Sequence, residues 1–396
     1  MNRMRIPAFL GNKPSFKKTV AITVPTLPNI SSLVSNYRKI LKSGMITNSK
    51  FVQEFESSVK KYLGVKHAIA VNSCTNGLML ILKTLGLKGE VILPSFTFHA
   101  TAHAVVWNNL KPVFVDCDPE TYNINPDSVE KAINSKTAAI IGVYIFGNPP
   151  HIDTLEKIAK KHKLKLMFDA AHGFGTKYSN SHIGGFGDAE SFSLTPTKLL
   201  TAGEGGMVTT NDDDLARKIK IGRNYGDPGT YDCEFSGLSA RMSEFNALLG
   251  IEGLKMLEKN VLQRNKIAKL YKKILSKTPG ISFQKIEDGN RSSYKDFSIS
   301  INKDLFGLSR DQLCEVLLTE NIMVKKYFYP AVHKQKAFLK YAPRKDRLFN
   351  TNRISDSSLS LPLYSHMLED EVEKICKVIA SVHYYRERIM KKMLSK

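Results

Sequence analysis

Seven short apolar segments, separated by helix-like stretches, lie between about His67 and Thr210. They read HAIAVNS, EVILPS, KPVFVDCD, TAAIIGVYIF, LKLMFDA, DAESFSL and GGMVTT. Several are almost continuously apolar, as strands are when helices cover both faces of a sheet. The pattern therefore predicts an α/β domain built on a seven-stranded sheet.

Different patterns flank this region. A long helical pattern runs from Ser243 to about Lys277, the turn signal Pro279-Gly280 follows, and a weaker α+β region begins at Ile281. Before the sheet, an amphipathic helix over 32–41 is expected to pack with the C-terminal part. We predict three parts: 1–64 as an arm and helix packing with the small domain, 65–278 as the large domain, and 279–396 as a small C-terminal domain.

Composition limits the class of protein. Apolar residues make up 42% and charged residues 24%, as in globular proteins. The N-terminus has no unbroken apolar stretch of the secretory type, and the apolar run Thr137–Gly147 is shorter than the about 20 residues that span a bilayer. We expect a cytoplasmic protein without a membrane partner.

The cysteines and the net charge limit which metals and binding partners the chain is expected to have. Five cysteines are spread along the chain without a CxxC pair or a histidine at ligand spacing, so we expect free thiols and no metal. The formal charge of +21 suits a nucleic acid, an anionic membrane or an anionic substrate. Much of it lies in stretches such as 156–163 and 385–396, which read as solvated helix faces, and no nucleic-acid motif accompanies it.

Three segments contain candidate functional residues. In LKLMFDA the predicted strand ends at the carboxylate of Asp169, and ligands of α/β sheets bind beyond the carboxyl ends of strands. In SFSLTPTKLLTAGEGG, Lys198 has no acidic neighbour before Glu204; partial desolvation would favour the neutral amine that attacks an aldehyde. In VNSCTNGLMLIL, Thr75 and Asn76 begin a helix, where N–H groups and hydroxyls bind anions.

Each feature alone has an ordinary structural explanation: a capping aspartate, an exposed loop lysine and a helix cap. Together they provide an amine, a carboxylate and an anion site in one α/β domain. Pyridoxal phosphate needs a lysine for its aldehyde, an acid for its ring nitrogen and a cup for its phosphate. The combination therefore predicts a pyridoxal-phosphate enzyme.

The chain resembles the nucleotide-sugar aminotransferase family from about residue 44 to 375. The resemblance implies the type I, aspartate aminotransferase fold, a mostly parallel large sheet and an active site at a homodimer interface. Segments that carry it are ITNSKFVQEFE, KHAIAVNSCTNGLML, EVILPSFTFHATAHAVVWNNLKPVFVDCDPETYNI, VYIFGNPPHID, FDAAHGFGTKY, SFSLTPTKLLTAGEGGMV, GLSARMSEFNALLG, YFYPAVHKQ and LSLPLY.

The resemblance also implies roles for single residues. Lys198 matches the lysine that binds the cofactor covalently, and Asp169 matches the aspartate at the pyridine nitrogen. His172 falls near the cofactor's phenolic oxygen, and Phe98 matches the aromatic residue on the ring face. Three matched positions contact the phosphate: Thr75, Asn76 and Ser193.

Three further positions are expected to contact substrate or the partner subunit's cofactor. The family often has GxNxRM, whose asparagine reaches the partner subunit's phosphate; this chain reads GLSARM, with the shorter Ser239. Arg241 is a candidate for binding anionic substrate groups across the interface, or else an interface ion pair. His333 in PAVHKQ matches a substrate-side position.

The implied reaction is ping-pong. L-Glutamate donates its amino group, which the enzyme holds as pyridoxamine phosphate and passes to a nucleotide-linked keto-sugar. EVILPSFTFHATAHAVVW and FDAAHGFGTKY most resemble enzymes that aminate dTDP-4-keto-6-deoxyglucose at C4. C3-aminating, GDP-sugar, UDP-sugar and cyclitol aminotransferases remain alternatives.

Two other classes are less consistent with the sequence. Related sugar dehydratases place histidine where this chain has Lys198, so the lysine argues for amination rather than dehydration. The second class is not enzymatic: the chain could be a basic regulator that binds nucleic acid and keeps a cofactor site. Strongly salt-dependent DNA binding would indicate such a regulator.

Overall fold

The computed structural model describes residues 4–343 and 347–395. The strands in this part of the chain are β1 His67–Val71, β2 Glu90–Pro94, β3 Lys111–Val115, β4 Thr137–Val143, β5 Lys165–Asp169, β6 Lys177–Tyr178, β7 Ser181–His182, β8 Ala189–Ser193, β9 Gly206–Thr210, β10 Ile281–Phe283, β11 Phe297–Ile301 and β12 Ser358–Leu361.

Helices connect and cover these strands. The α-helices are α1 Ile30–Ser43, α2 Lys50–Leu63, α3 Cys74–Thr84, α4 Ala100–Trp107, α5 Pro126–Ala132, α6 Ile152–His162, α7 Asp213–Gly222, α8 Glu244–Leu275, α9 Lys303–Phe306, α10 Arg310–Thr319, α11 Phe349–Ser357, α12 Glu369–Tyr384 and α13 Arg386–Leu394. Short 3-10 helices are Ala8–Leu10, Ile145–Gly147, Val332–Lys334 and Lys336–Tyr341.

The large sheet contains all seven strands that the sequence predicts. Its order is β1-β9-β8-β5-β4-β2-β3. All neighbouring pairs are parallel except those of β9, which runs antiparallel to both β1 and β8. The predicted seven-stranded, mostly parallel sheet is therefore confirmed, and the carboxyl ends of β5 and β8 lie next to each other.

Both faces of this sheet are buried, as the apolar runs predict. In β1, Ala68 and Ala70 belong to one apolar cluster, whereas Ile69 and Val71 belong to another. Alternate side chains of a strand point to opposite faces, so the two clusters lie on opposite sides of the sheet. Every residue of β2, β8 and β9 is buried.

Helix α8 links the large sheet to the C-terminal part. It begins after Ser243, whose side chain accepts a hydrogen bond from the Asn246 N–H, as in an N-cap. Val261 packs in the core of the large sheet, whereas Tyr271 packs in a second core. That core covers a small antiparallel sheet of order β10-β11-β12. The long helix predicted from Ser243 is confirmed.

The N-terminal segment divides between the two cores. Phe9 and Val20 belong to the C-terminal core, which agrees with the predicted packing of the arm. Helix α1, in contrast, packs through Leu33 and Ile40 against Leu248 in the first half of α8, and α2 packs in the core of the large sheet. The expectation that the helix over 32–41 packs with the C-terminal part is corrected; the three domain limits stay a prediction.

Much of the positive charge lies where the sequence predicts it. In α6, Lys157, Lys160 and Lys161 are exposed, while the opposite face is buried. In α13 only Ile389 is buried. Across residues 4–343 and 347–395, no helix combines the length and the apolar character that crossing a bilayer requires.

Candidate active site

Asp169 ends β5, and its carboxylate is buried at the carboxyl edge of the large sheet. One carboxylate oxygen accepts a hydrogen bond from the Thr101 hydroxyl at 2.7 Å, and the other accepts one from the Ala171 N–H at 3.1 Å. Burial raises the pKa of Asp169, while these hydrogen bonds and the charge of Lys198 oppose the rise. The carboxylate is thus fixed in one orientation.

Lys198 lies in the loop that follows β8. The Leu194 N–H donates to the Gly205 carbonyl at 3.0 Å, which closes the base of the loop. Within the loop, the Lys198 N–H donates to the Thr195 carbonyl at 3.0 Å. These bonds fix the backbone of Lys198, and its side chain lines the same cavity as Asp169.

The beginning of α3 forms a third wall of the cavity. The Ser73 hydroxyl accepts a hydrogen bond from the Asn76 N–H at 3.1 Å, which caps the helix. The N–H groups of Cys74 and Thr75 have no intrahelical acceptor because they belong to the first turn. A Cβ on Gly206 would lie 2.5 Å from the Cys74 nitrogen, so only glycine lets β9 pass behind this turn.

His172 lies on the cavity wall with a defined proton position. Burial lowers its pKa well below the ordinary value, and the charges of Lys198 and Lys295 lower it further, so the imidazole is neutral at pH 7. Its Nδ1 accepts a hydrogen bond from the Phe146 N–H at 3.2 Å. A neutral ring that accepts at Nδ1 has its proton on Nε2, which is therefore a hydrogen-bond donor.

Residues from the C-terminal part complete the cavity. Lys295 and Asp296 immediately precede β11, and the Lys295 ammonium lies 2.8 and 3.0 Å from the two carboxylate oxygens of Asp296. The volume is about 350 Å³. The lining residues are Ser73, Cys74, Thr75, Phe98, Ala100, Asp169, Ala171, His172, Ser193, Thr195, Thr197, Lys198, Lys295, Asp296, Tyr327 and Phe328.

The surroundings of Lys198 increase the fraction of its amine that is neutral. Burial and, next, the positive charge of Lys295 lower the pKa of the Lys198 amine to about 8, while Asp296 and Asp169 act in the opposite direction. A neutral amine has the lone pair that attacks a carbonyl carbon. The structure thus combines a reactive amine and a buried carboxylate in one cavity.

Six of the predicted site residues line this cavity, and four do not. Asn76 donates its side-chain N–H to Asn72 at 2.8 Å, and Ser239 is exposed outside the cavity. Arg241 lies in another cleft and donates to the Asn224 side chain at 2.8 Å. His333 is buried, with Nδ1 at 2.7 Å from the Ser95 hydroxyl. The six that line it are Thr75, Phe98, Asp169, His172, Ser193 and Lys198.

The lining residues fit pyridoxal phosphate. Lys198 offers an amine for the aldehyde, and Asp169 offers a buried carboxylate for the ring nitrogen. The turn at the start of α3 has unpaired N–H groups, and the hydroxyls of Thr75 and Ser193 lie beside it, which suits a phosphate. In the described part of the chain, no group of three or more His, Cys, Asp or Glu residues is arranged to hold a metal ion.

The sequence did not reveal several residues of the site. Thr101 orients Asp169, but a threonine in a helix gives no signal of a partner 68 positions later. The Lys295–Asp296 pair belongs to the region read only as weak α+β structure. A Lys-Asp dipeptide is usually exposed, and only the tertiary structure buries this one.

Solved structures define the class of protein. The crystal structure of DesI in the presence of its TDP-sugar product superposes with a TM-score of 0.93 and 32% sequence identity, covering 99% of this chain and all of that one. A mostly parallel seven-stranded sheet of this kind is the type I fold of pyridoxal-phosphate enzymes. The protein is a pyridoxal-phosphate-dependent aminotransferase.

Sequence comparison identifies the family to which the protein belongs. Residues 30–380 match the DegT/DnrJ/EryC1/StrS aminotransferase family, and the chain belongs to it. The dTDP-4-amino-4,6-dideoxy-D-glucose transaminase of Escherichia coli is 34% identical over 365 residues, or 91% of this chain and 98% of that protein. The GDP-perosamine synthase of Caulobacter vibrioides is 31% identical over 84% of this chain and 90% of that protein. The predicted fold, cofactor and enzyme class are confirmed.

Proposed function

We propose that this enzyme transfers the amino group of L-glutamate to a nucleotide-linked keto-deoxysugar, dTDP-4-keto-6-deoxyglucose at C4, in the cytoplasm. The observation that carries the proposal is the joint burial of Lys198 and Asp169 in one cavity that opens beside a basic cleft. Similarity to the E. coli transaminase supports the choice of sugar and carbon.

The cavity residues have distinct roles in this proposal. Bound pyridoxal phosphate supplies an aldehyde for the amine and a ring that withdraws electrons from the reacting carbon. Lys198 would bind that aldehyde and, when released, would move the proton of the donor's α-carbon. Asp169 would keep the ring nitrogen protonated, and the Nε2–H of His172 would be available to the phenolic oxygen. Phe98 would offer an aromatic face to the ring.

The start of α3 and the end of β8 would hold the cofactor phosphate. Thr75 and Ser193 offer hydroxyls on the cavity wall. Asn76 contributes to the same turn by holding Asn72. For His333, the hydrogen bond with Ser95 supports a role in positioning the segment after Tyr329, rather than direct contact in the cavity.

A second cleft supports a nucleotide-linked substrate. It has a volume of about 310 Å³ and shares Phe98, Tyr327 and Phe328 with the Lys198 cavity. Lys325 and Lys326 line it, and Lys326 is paired with Asp311 whereas Lys325 is exposed. A sugar bound at Lys198 could extend its diphosphate into this cleft, where the Lys325 charge would favour it.

A panel of keto-substrates with L-glutamate tests the substrate. We expect kcat/KM to be highest for dTDP-4-keto-6-deoxyglucose, with product mass and NMR placing the amine on C4. A free keto-cyclitol should react at least about 100-fold less well, because it lacks the charged hydrogen bonds of the diphosphate. GDP-, UDP- and 3-keto-sugars complete the panel, since relatives include a GDP-perosamine synthase and a dTDP-3-amino-3,6-dideoxygalactose transaminase.

A substitution at Lys325 tests whether the second cleft binds the nucleotide part of the substrate. Lys325→Met should raise KM for nucleotide sugars by about tenfold and leave KM for glutamate unchanged, since one charged contact is lost. Lys285→Met is the matched control, because this exposed lysine pairs with Glu120 and Glu287 away from the cleft. Preference for the cyclitol would contradict the proposed substrate, and equal effects of both variants would contradict the role of the cleft.

We also propose a homodimer in which Ser239 and Arg241 reach the partner's cavity. Both residues lie outside the Lys198 cavity of their own chain. The Arg241 guanidinium is held by Asn224 and lies 5.6 Å from the Tyr225 ring centre, so it is oriented at the surface. Exposed apolar side chains on and beside α1 support burial by a second copy. They are Leu27, Ile30, Leu41, Met45 and Ile46.

Mixing two inactive variants tests this arrangement. Lys198→Ala and Arg241→Ala should each reduce activity with the nucleotide sugar. After unfolding and refolding together in equal amounts, about half of the dimers are hybrids with one intact site, so about a quarter of wild-type activity should return. A mixture that stays as inactive as its components would show that Arg241 acts within its own subunit.

A further inference from the structure

The Lys295–Asp296 pair is an unusual element of the cavity wall. Its two charged groups belong to consecutive residues, and each side chain is only 5% exposed. The Lys295 ammonium lies 5.3 Å from the Tyr327 ring centre, a cation–π distance. Its backbone N–H donates to the Phe146 carbonyl at 3.0 Å, which fixes the segment against the large domain.

A third buried charge lies behind this pair. The Arg264 side chain is 1% exposed. Its guanidinium donates to the carbonyls of Tyr294 and Lys295 at 3.2 and 3.0 Å and to the Ser365 hydroxyl at 3.2 Å. Among the described residues no carboxylate forms an ion pair with Arg264. The charge of Asp296 nevertheless acts on Arg264 as well as on Lys295, so this cluster of two cations and one carboxylate has a net positive charge.

A buried net charge is costly unless an opposite charge accompanies it. Arg264 does not line the cavity and donates to two backbone carbonyls and the Ser365 hydroxyl, whereas Lys295 lines the cavity. Lys295 is therefore the cation of this cluster that a bound anion can contact. An ammonium group has three N–H donors, and the two oxygens of Asp296 occupy at most two of them. Lys295 can thus donate to a bound anion without leaving Asp296.

The cavity offers few other cations. Among the described residues that line the cavity, the lysines are Lys198 and Lys295, and none is an arginine. Lys198 is the reactive amine, so it cannot serve as a fixed anion site throughout the reaction. The cofactor phosphate is suited to the start of α3, which follows β1 of the large sheet. Lys295 lies elsewhere in the chain, immediately before β11, so an anion at Lys295 would be a different group from that phosphate.

The chemistry of the two substrates identifies the anion. An amino acid has its α-carboxylate on the very carbon whose proton is removed beside Lys198. A keto-sugar ring has only hydroxyls and a carbonyl near its reacting carbon, and its diphosphate is several bonds away. We propose that Lys295 binds the α-carboxylate of the amino donor, with Asp296 orienting the ammonium group. This inference rests on the amino-donor half of the proposed function.

Two small amines isolate this contact. 2-Aminoisobutyrate and isopropylamine differ only by an α-carboxylate, and both can be titrated into the cofactor-loaded enzyme by its visible spectrum. In the wild type, 2-aminoisobutyrate should bind about 10- to 100-fold more tightly than isopropylamine, because a hydrogen bond to a charged group changes the affinity by that factor. In Lys295→Met the ratio of the two affinities should fall to about one. The ratio is the test because the Lys295 charge also acts on Lys198, and that effect is common to both amines. No sugar nucleotide and no glutamate is present, so an error in either assignment does not affect the result.

Two further variants separate binding from a structural role. Lys295→Met leaves Asp296 buried without its partner, whereas the double variant Lys295→Met/Asp296→Asn removes both charges. If Lys295 binds the carboxylate, the double variant also lacks the preference; if Lys295 only neutralises Asp296, the double variant regains it, which overturns the proposal. Lys272→Met is the matched control, because this lysine lies 5.7 Å from the Tyr294 ring outside the cavity, and it should keep the preference. A wild type without any preference also overturns the proposal.

Discussion

Lys198→Ala is expected to reduce transamination by about 10⁴-fold or more, because a positioned proton-transfer group alone accounts for about 10²- to 10⁴-fold and, in the proposed function, this lysine also binds the cofactor. The change is assayed as kcat with glutamate and the dTDP-keto-sugar. Covalent cofactor labelling by borohydride should disappear as well. Lys198→Arg is the control, since arginine keeps the charge but has no neutral amine at accessible pH. Substantial activity in either variant would refute the role of Lys198.

The lowered pKa of Lys198 adds a pH dependence to this prediction. With a pKa of about 8, roughly one tenth of the amines are neutral at pH 7, compared with fewer than about one in a thousand at the ordinary pKa of 10.5. Covalent capture of added cofactor by the apoenzyme should therefore accelerate about tenfold per pH unit below pH 8 and level off above it. Stopped-flow absorbance measures the rate, and a rate that still rises steeply to pH 10 would show that burial does not shift this amine.

Local patterns were enough to predict the sheet and the centre of the site. Asp169 ends one buried strand and Lys198 follows another, and the carboxyl ends of neighbouring parallel strands meet at one edge of a sheet. Thr75 lies in the first turn of the helix that follows β1, at the same edge. The strand pattern therefore brought together residues more than 100 positions apart without any knowledge of the tertiary contacts.

Contacts between separate parts of the chain could not be predicted in this way. The amphipathic pattern of α1 shows that one face is buried, but it does not show whether Leu248 or the C-terminal core covers that face. Lys295 is likewise brought to the cavity by the packing of the C-terminal part on the large domain. Its sequence neighbours give no sign that its ammonium is buried.

Asp169→Asn is expected to lower kcat by about 10²- to 10⁴-fold, the range over which a positioned group that holds or transfers a proton acts. An amide cannot balance the charge of a protonated ring nitrogen, so the cofactor would lose much of its electron-withdrawing power. Single-turnover measurements with L-glutamate alone should show the loss in the first half-reaction.

The surroundings of Asp169 allow this test without unfolding the protein. In the Asp169→Asn variant, the Ala171 N–H can donate to the new amide oxygen. The Thr101 hydroxyl can accept from the amide nitrogen, because it also lies 3.1 Å from the Phe98 carbonyl, to which it can donate. Thr101→Val is the matched control: it removes one hydrogen bond but keeps the carboxylate, so we expect a loss of about tenfold or less. If Asp169→Asn were no slower than Thr101→Val, the charge of Asp169 would be unimportant and its role would be limited to hydrogen bonding.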